Sequence, residues 1–289
     1  MKLVIYGNIG FDDIVSIGEK KTVNGGAAYY CAAGAVQFSD SVGVVGVVGN
    51  DYDFKAVTRF GLSTEGIHKV EDIKSSHFSI KYGSNLRDRN IIVDIGAGGL
   101  LSPNAIPNDY MNDTKYFHIT SIEPSKQMET IEFIRHHYPE VRISIDLIQD
   151  YIKEEIKTIK EIISNVDLVF LDVEEAKILN DNHIIIQKDF VLKKGHLGAE
   201  YVFFESGKRI YSPAPLITDM VDKTGSGDIL AGALLSQLCF GTSSLSSAMA
   251  NSVKCASEKV RHWGVNYVKK YNETTAGKMG TKNKSFGVL

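Results

Sequence analysis

Cysteine is scarce in this chain: Cys31, Cys239 and Cys255 are the only three, and none forms a CxxC pair. An odd, scattered set argues against a disulfide framework and a structural zinc site, and favours a reducing compartment. An excess of one charge sign is also missing. The formal net charge of -3 gives no footing for nonspecific binding to nucleic acid or an anionic membrane surface. A local basic pocket is still compatible with it. No apolar stretch approaches membrane-spanning length. The opening MKLVIYGNIGFDD holds an apolar run too short for a signal peptide, and it reads as a buried first strand. We therefore expect a cytoplasmic protein with neither membrane nor nucleic-acid partners. Two nucleotide-binding signatures are absent as well. No GxxxxGK[ST] occurs, and no GxGxxG follows the first strand, which argues against P-loop enzymes and dinucleotide oxidoreductases. There is no internal repeat and no low-complexity linker.

What is present suits one large α/β domain, or one with a small appendage. The 289 residues are 43% hydrophobic and 23% charged, enough apolar side chain for an ordinary core. Short apolar runs at 2–6 and 41–48 stop at Gly7 and Gly49, as buried parallel strands do. Further runs of this kind lie at 116–119, 142–145, 168–171 and 190–192. Ile152, Ile156, Ile159 and Ile163 fall at steps of four, three and four, one apolar stripe on a surface helix. Strands alternating with helices predict a doubly wound sheet covered on both faces. The segments 14–22 and 78–94 break the alternation. They read as antiparallel strands, the second a hairpin with a polar tip around Arg87 and Arg89. A small sheet standing off the main body as a lid is the expectation. The Lys-, Thr- and Gly-rich stretch from about Asn272 reads as a frayed tail.

One segment carries chemistry. Asp222-Lys223-Thr224-Gly225-Ser226-Gly227-Asp228 directly precedes an apolar helical run, 229–238. Glycines permit a tight turn with inward amides, and the helix start adds partial positive charge. Together they form an anion cradle that needs no lysine. Such a cradle suits a phosphoryl group in flight, whose charge is spread over three oxygens. Asp228 at the helix mouth is placed to take a proton from an attacking hydroxyl. A Gly-Ser-Gly-Asp turn in which Asp is a simple N-cap remains the bland alternative.

With three other motifs this segment resembles the PfkB, or ribokinase-like, carbohydrate kinase family. Residues 222–228 stand where that family has D-T-x-G-A-G-D, with Lys223 for the usual Thr and Ser226 for Ala. Asn24-Gly25-Gly26-Ala27-Ala28 looks like its early Gly-Gly opening a small-residue helix. Val45-Gly46-Val47-Val48-Gly49-Asn50-Asp51 resembles V-G-x-V-G-x-D, and 61–67 resembles G-V-x-T-x-G-V. The matches come in the family's order and span nearly the whole chain.

The resemblance implies a ribokinase-like three-layer α/β/α sandwich over 1–289, with a mostly parallel central sheet and a small β-sheet lid from about 12–23 and 76–95. It implies an ATP-dependent kinase that needs Mg2+. Asp228 matches the catalytic base, and Gly225, Ser226 and Gly227 match the anion hole. Asp12 matches the aspartate that grips substrate hydroxyls, while Gly10 stands where Asn is frequent. Gly25 and Gly26 match the pair that lets substrate approach the backbone, with Asn24 as a further substrate contact. Asp172 and Glu175 match N-x-x-E, which organises magnesium through water; Asp172 is an acceptor-only group in place of an amide. Lys193 and Gly195 match T-x-G near the nucleotide, where the lysine offers ATP phosphates a direct positive charge. Thr224, Gly225, Gly227 and Asn251 complete the nucleotide side, although Asn251 and Cys255 fit plain core packing equally well. His118, His136 and His137 show no metal-ligand spacing and read as structural.

The 7–13 and 24–30 stretches look like the polyol branch, so a sugar or inositol-like polyol is the first substrate expectation. A nucleoside is the alternative, with Tyr29, Tyr30 or Tyr82 as stacking surface. Arg87 and Arg89 would suit an acidic substrate or a solvated hairpin tip. A binding protein that kept the fold and lost catalysis is the reading from another class. Family members frequently pair lid to lid, which makes a homodimer an expectation here.

Overall fold

The computed structural model describes residues 1–83, 89–241 and 243–268. The first apolar run forms β1 (Leu3–Tyr6) and ends at Gly7. Then follow β2 (Gly10–Ser16), β3 (Glu19–Gly25), α1 (Ala27–Ala35) and β4 (Val42–Gly49). Next come α2 (Lys55–Thr58), β5 (Ile67–Val70), β6 (Ser76–Tyr82) and β7 (Arg89–Asp94). The middle of the chain supplies α3 (Asn108–Met111), β8 (Tyr116–Ile119), α4 (Pro124–His137) and β9 (Arg142–Asp146). After these lie α5 (Gln149–Glu154), α6 (Ile156–Ser164), β10 (Leu168–Asp172) and α7 (Val173–Asp181). The last elements are β11 (Asp189–Lys193), β12 (Ala199–Val202), β13 (Arg209–Ser212), α8 (Ser226–Phe240) and α9 (Leu245–Lys259).

Nine strands form the larger sheet in the order β13-β12-β11-β10-β9-β8-β1-β4-β5. From β11 to β5 the neighbours are parallel; β12 and β13 are antiparallel additions at one end. Alternate residues of β1 serve opposite faces. Leu3 and Ile5 join the core beneath α1, α8 and α9, whereas Val4 and Tyr6 join the core beneath α4 and α6. This alternation is why the run carries no polar residue: both faces are roofed by helices. The chain leaves β1 toward β4 on one side and returns to β8 on the other. The carboxyl ends of β1 and β8 therefore flank the reversal of strand order, where open α/β sheets hold ligands.

The second sheet has the order β3-β2-β6-β7. β2 and β6 run parallel at its centre, and antiparallel partners close both sides. The antiparallel segments expected near 14–22 and 78–94 thus start earlier, at Gly10 and Ser76. The hairpin tip with Arg87 lies outside the described residues, as do the Arg89 side chain and the tail from Asn272.

One expectation fails. The isoleucine stripe belongs to two helices, α5 and α6, which break at Glu155 (φ -128°, ψ 43°). Ile152, Ile159, Ile162 and Ile163 are buried against a common core on both sides of the break, so the apolar spacing runs through it unchanged.

Candidate active site

The site begins with a close helix contact. α1 and α8 touch through glycines. A side chain at Gly34 would run into the Ile229 backbone, and one at Gly232 into the Cys31 carbonyl. Small residues here let α8 lie directly on α1, which fixes where its first turn emerges. Gly225 precedes that turn in the left-handed region (φ 75°), and the Tyr30 ring of α1 lies against it. Asp228 sits half-buried in the first turn of α8, where the helix dipole favours a carboxylate. Ser226 N–H donates to the Lys223 carbonyl at 3.2 Å and closes the turn. The Gly227 amide, by contrast, belongs to the group of first-turn N–H donors that a helix cannot satisfy itself.

Asp12 approaches from the smaller sheet. It is 2% exposed, accepts a 2.7 Å hydrogen bond from Tyr30 Oη–H and another from Gly26 N–H. Gly25 lies so close that a side chain there would overlap the Asp12 carboxyl. Burial raises the Asp12 pKa to about 7, with Tyr30 opposing the shift. Tyr30 therefore joins both halves of the site: its hydroxyl holds Asp12 and its ring supports Gly225. Asn24 faces Phe11 across the strand pair and, with Phe11, Val23 and Tyr29, lines a cleft of about 200 Å³. Val23 is the register partner of Asp12. Of the tyrosines expected as stacking surface, Tyr29 lines this cleft, Tyr30 is 2% exposed, and Tyr82 meets the Thr224 hydroxyl at 2.8 Å.

A third group lies at the carboxyl ends of β9, β10 and β11. Asp172 and Lys193 are register partners, and Asp146 ends the next strand over. Lys193 is a partly buried strand-end cation whose Nζ pairs with Asp146 Oδ1. A methyl group at Gly227 would stand 3.5 Å from that Nζ, so the ammonium lies beside the start of α8. Burial works against its charge, but Asp146, Glu175 and Asp228 outweigh it and raise its pKa. Asp146 Oδ2 is buried without a hydrogen-bond partner among the described residues. Asp172 and Glu175 form a capping box on α7: Asp172 Oδ1 accepts Glu175 N–H at 2.9 Å, and Glu175 Oε2 accepts Asp172 N–H at 2.7 Å. An aspartate in place of asparagine serves this cap well, because the acceptor oxygen is what the helix needs. Burial raises the Glu175 pKa to about 8 against the attraction of Lys193.

The remaining candidates divide. Gly195 turns the chain after β11 at φ 57°, with open space where a side chain would be. Thr224 is buried against Tyr82, and its N–H donates to Asp222 Oδ1 at 2.8 Å. Asn251 donates to Gln237 Oε1 at 2.8 Å, tying α9 to α8. His118 is buried beside Ser144, with its pKa lowered to about 3 by burial and then by Lys193.

The pfkB family carbohydrate kinase model matches residues 4–270. The chain belongs to this family. A cytidine kinase from Thermococcus kodakarensis is 26% identical over 281 residues, covering 91% of this chain and 98% of that one. Two solved structures share the pfkB fold seen here. A Burkholderia thailandensis nucleoside kinase in complex with inosine superposes with a TM-score of 0.80 at 17% identity, covering 96% of this chain and 97% of its own. An E. coli structure described as a putative ribokinase II in complex with ATP and Mg2+ gives 0.76 at 18% identity, covering 96% and 99%. None of these three is a polyol kinase by its description, so the inositol-like expectation finds no support among them.

Proposed function

We propose that this pfkB-family kinase transfers the γ-phosphoryl group of ATP to a hydroxyl of a nucleoside. The observation that carries the proposal is the meeting of Asp228, the Gly227 amide and the Lys193 ammonium at the start of α8, with Asp12 tied to the same loop through Tyr30. In this reading Asp12 and the Gly25-Gly26 backbone hold sugar hydroxyls. Asp228 accepts the proton as the substrate oxygen bonds to phosphorus and the bond to the β-phosphate oxygen breaks, releasing ADP. The α8 amides and Lys193 hold the charge of the transferring group. The smaller sheet serves as a lid that excludes water.

The donor set fits magnesium, a hard cation that prefers oxygen ligands. Asp146 offers a buried, unpartnered oxygen, while Asp172 and Glu175 each have one oxygen outside the capping bonds. No group of three or more His, Cys, Asp or Glu able to hold a metal occurs among the described residues, so these carboxylates would hold the ion through water and ATP oxygens. When bound, magnesium neutralises phosphate charge. The nucleoside assignment is supported by what the cytidine and nucleoside kinases act on.

ADP release measured over nucleosides, hexoses, sugar acids and polyols tests the reading. Turnover with nucleosides is expected; turnover confined to polyols or hexoses would replace the substrate class. No release with any acceptor would favour a binding protein.

A further inference from the structure

The segment between β13 and α8 has neither sheet nor helix to hold it, yet it carries the anion loop. What fixes it lies at the far end of the chain. Val221 N–H and Asp222 N–H both donate to the Val260 carbonyl, at 2.8 and 3.1 Å. Ser16 Oγ–H of β2 donates to the Val221 carbonyl at 2.6 Å. Lys259, the last residue of α9, is 0% exposed. Its Nζ donates to Asp222 Oδ2 at 2.7 Å, to the Asp222 carbonyl at 3.1 Å and to the His262 carbonyl at 3.1 Å. Three acceptors match the three donors of an ammonium. The second oxygen of the Asp222 carboxylate accepts Thr224 N–H and so folds the turn that delivers Gly225. The Lys259 Nζ also stands 5.8 Å from the centre of the Tyr30 ring, the ring that supports Gly225 and whose hydroxyl holds Asp12.

We propose that Lys259 is a positioning residue for phosphoryl transfer: its buried ammonium sets the shape of the 222–228 loop and thereby the places of Asp228 and the Gly227 amide. The proposal rests on the reading of that loop as the phosphoryl site. A buried ion pair is a poor source of net stability, because desolvation offsets most of the attraction. Apolar residues would fill the space at no greater cost. What Lys259 supplies and an apolar residue cannot is three directed bonds on carbonyl and carboxylate oxygens of an irregular segment. Burial lowers the Lys259 pKa, with Asp222 and then Asp12 opposing, so loop and substrate aspartate both feel this charge.

Lys259→Met alone would strand the Asp222 carboxylate and can unfold the chain. The decisive variant is therefore Lys259→Met with Asp222→Asn, which removes both charges and keeps an acceptor for Thr224 N–H. If Lys259 positions the loop, the folded double variant loses ~100-fold in kcat, the scale expected for a small misplacement far from the chemistry, while KM for nucleoside changes less than about threefold. Hydrogen exchange of amides 223–228 rises at least ~10-fold over wild type, with the β1, β4 and α1 amides unchanged, since local openings are independent of the global one. Methylammonium should restore part of the turnover of Lys259→Ala, and tetramethylammonium, which has no N–H donor, should not. A folded double variant with kcat within about threefold of wild type and unaltered loop exchange would overturn the proposal. The exchange arm needs no turnover. If wild type transfers no phosphoryl group, the reading of the site fails while exchange still decides what Lys259 does to the loop.

Discussion

At the scale of single residues, the site depends on where protons rest. Asp228→Asn is nearly isosteric and removes the proposed proton acceptor. Turnover should fall by about 10² to 10⁴ while ATP binding, followed by calorimetry, persists. Wild-type turnover in this variant would remove Asp228 as the base. Glu175 offers a different test. Its folded pKa of about 8 lies above the ordinary glutamate value of 4.5, so the native state binds the proton more tightly than the unfolded chain does. Its contribution to stability is complete below about pH 4.5 and is lost as pH climbs toward 8. Glu175→Gln retains an oxygen for the Asp172 N–H and cannot titrate. The urea midpoint of wild type should fall relative to this variant between pH 5 and pH 8.5, whereas parallel midpoints would disprove the assignment. Asp228, Asp12 and the glycines stand out in the sequence because a motif surrounds them. Tyr30, Asp146 and Lys259 do not. Each makes contacts with residues far away in the chain, and no local spacing records such contacts.

At the scale of elements, β1, β4, β8, β9, β10 and β11 were legible because buried parallel strands leave apolar runs, and their observed limits differ from the expected ones by a residue or so. Helix continuity was not. The stripe from Ile152 to Ile163 gives no sign of the break at Glu155, since neither glycine nor proline marks it and both halves face one core. The α1–α8 contact is the element-level feature on which the proposed chemistry rests. Gly232→Ala would press a methyl group into the Cys31 carbonyl, and overpacking of this kind costs typically 1–3 kcal/mol. A lower Tm is expected together with a fall in kcat, because the same displacement moves Asp228. Full turnover in a destabilised Gly232→Ala would show that the start of α8 is not set by this contact.

At the scale of the molecule, the alternation of strands and helices made the class of fold readable. The order of the strands, and the antiparallel pair β12 and β13 at one end of the sheet, were not. The smaller sheet was visible as two interruptions of the pattern, but its central parallel pairing of β2 with β6 joins segments some sixty residues apart, which local patterning cannot convey. The carboxyl groups of Asp146, Glu175 and Asp228 all act on the Lys193 ammonium, and Asp172 is its register partner. A bare tetra-anion entering that corner would meet repulsion. In the proposed reading, a nucleotide that already carries its magnesium would enter that corner more readily than a bare one.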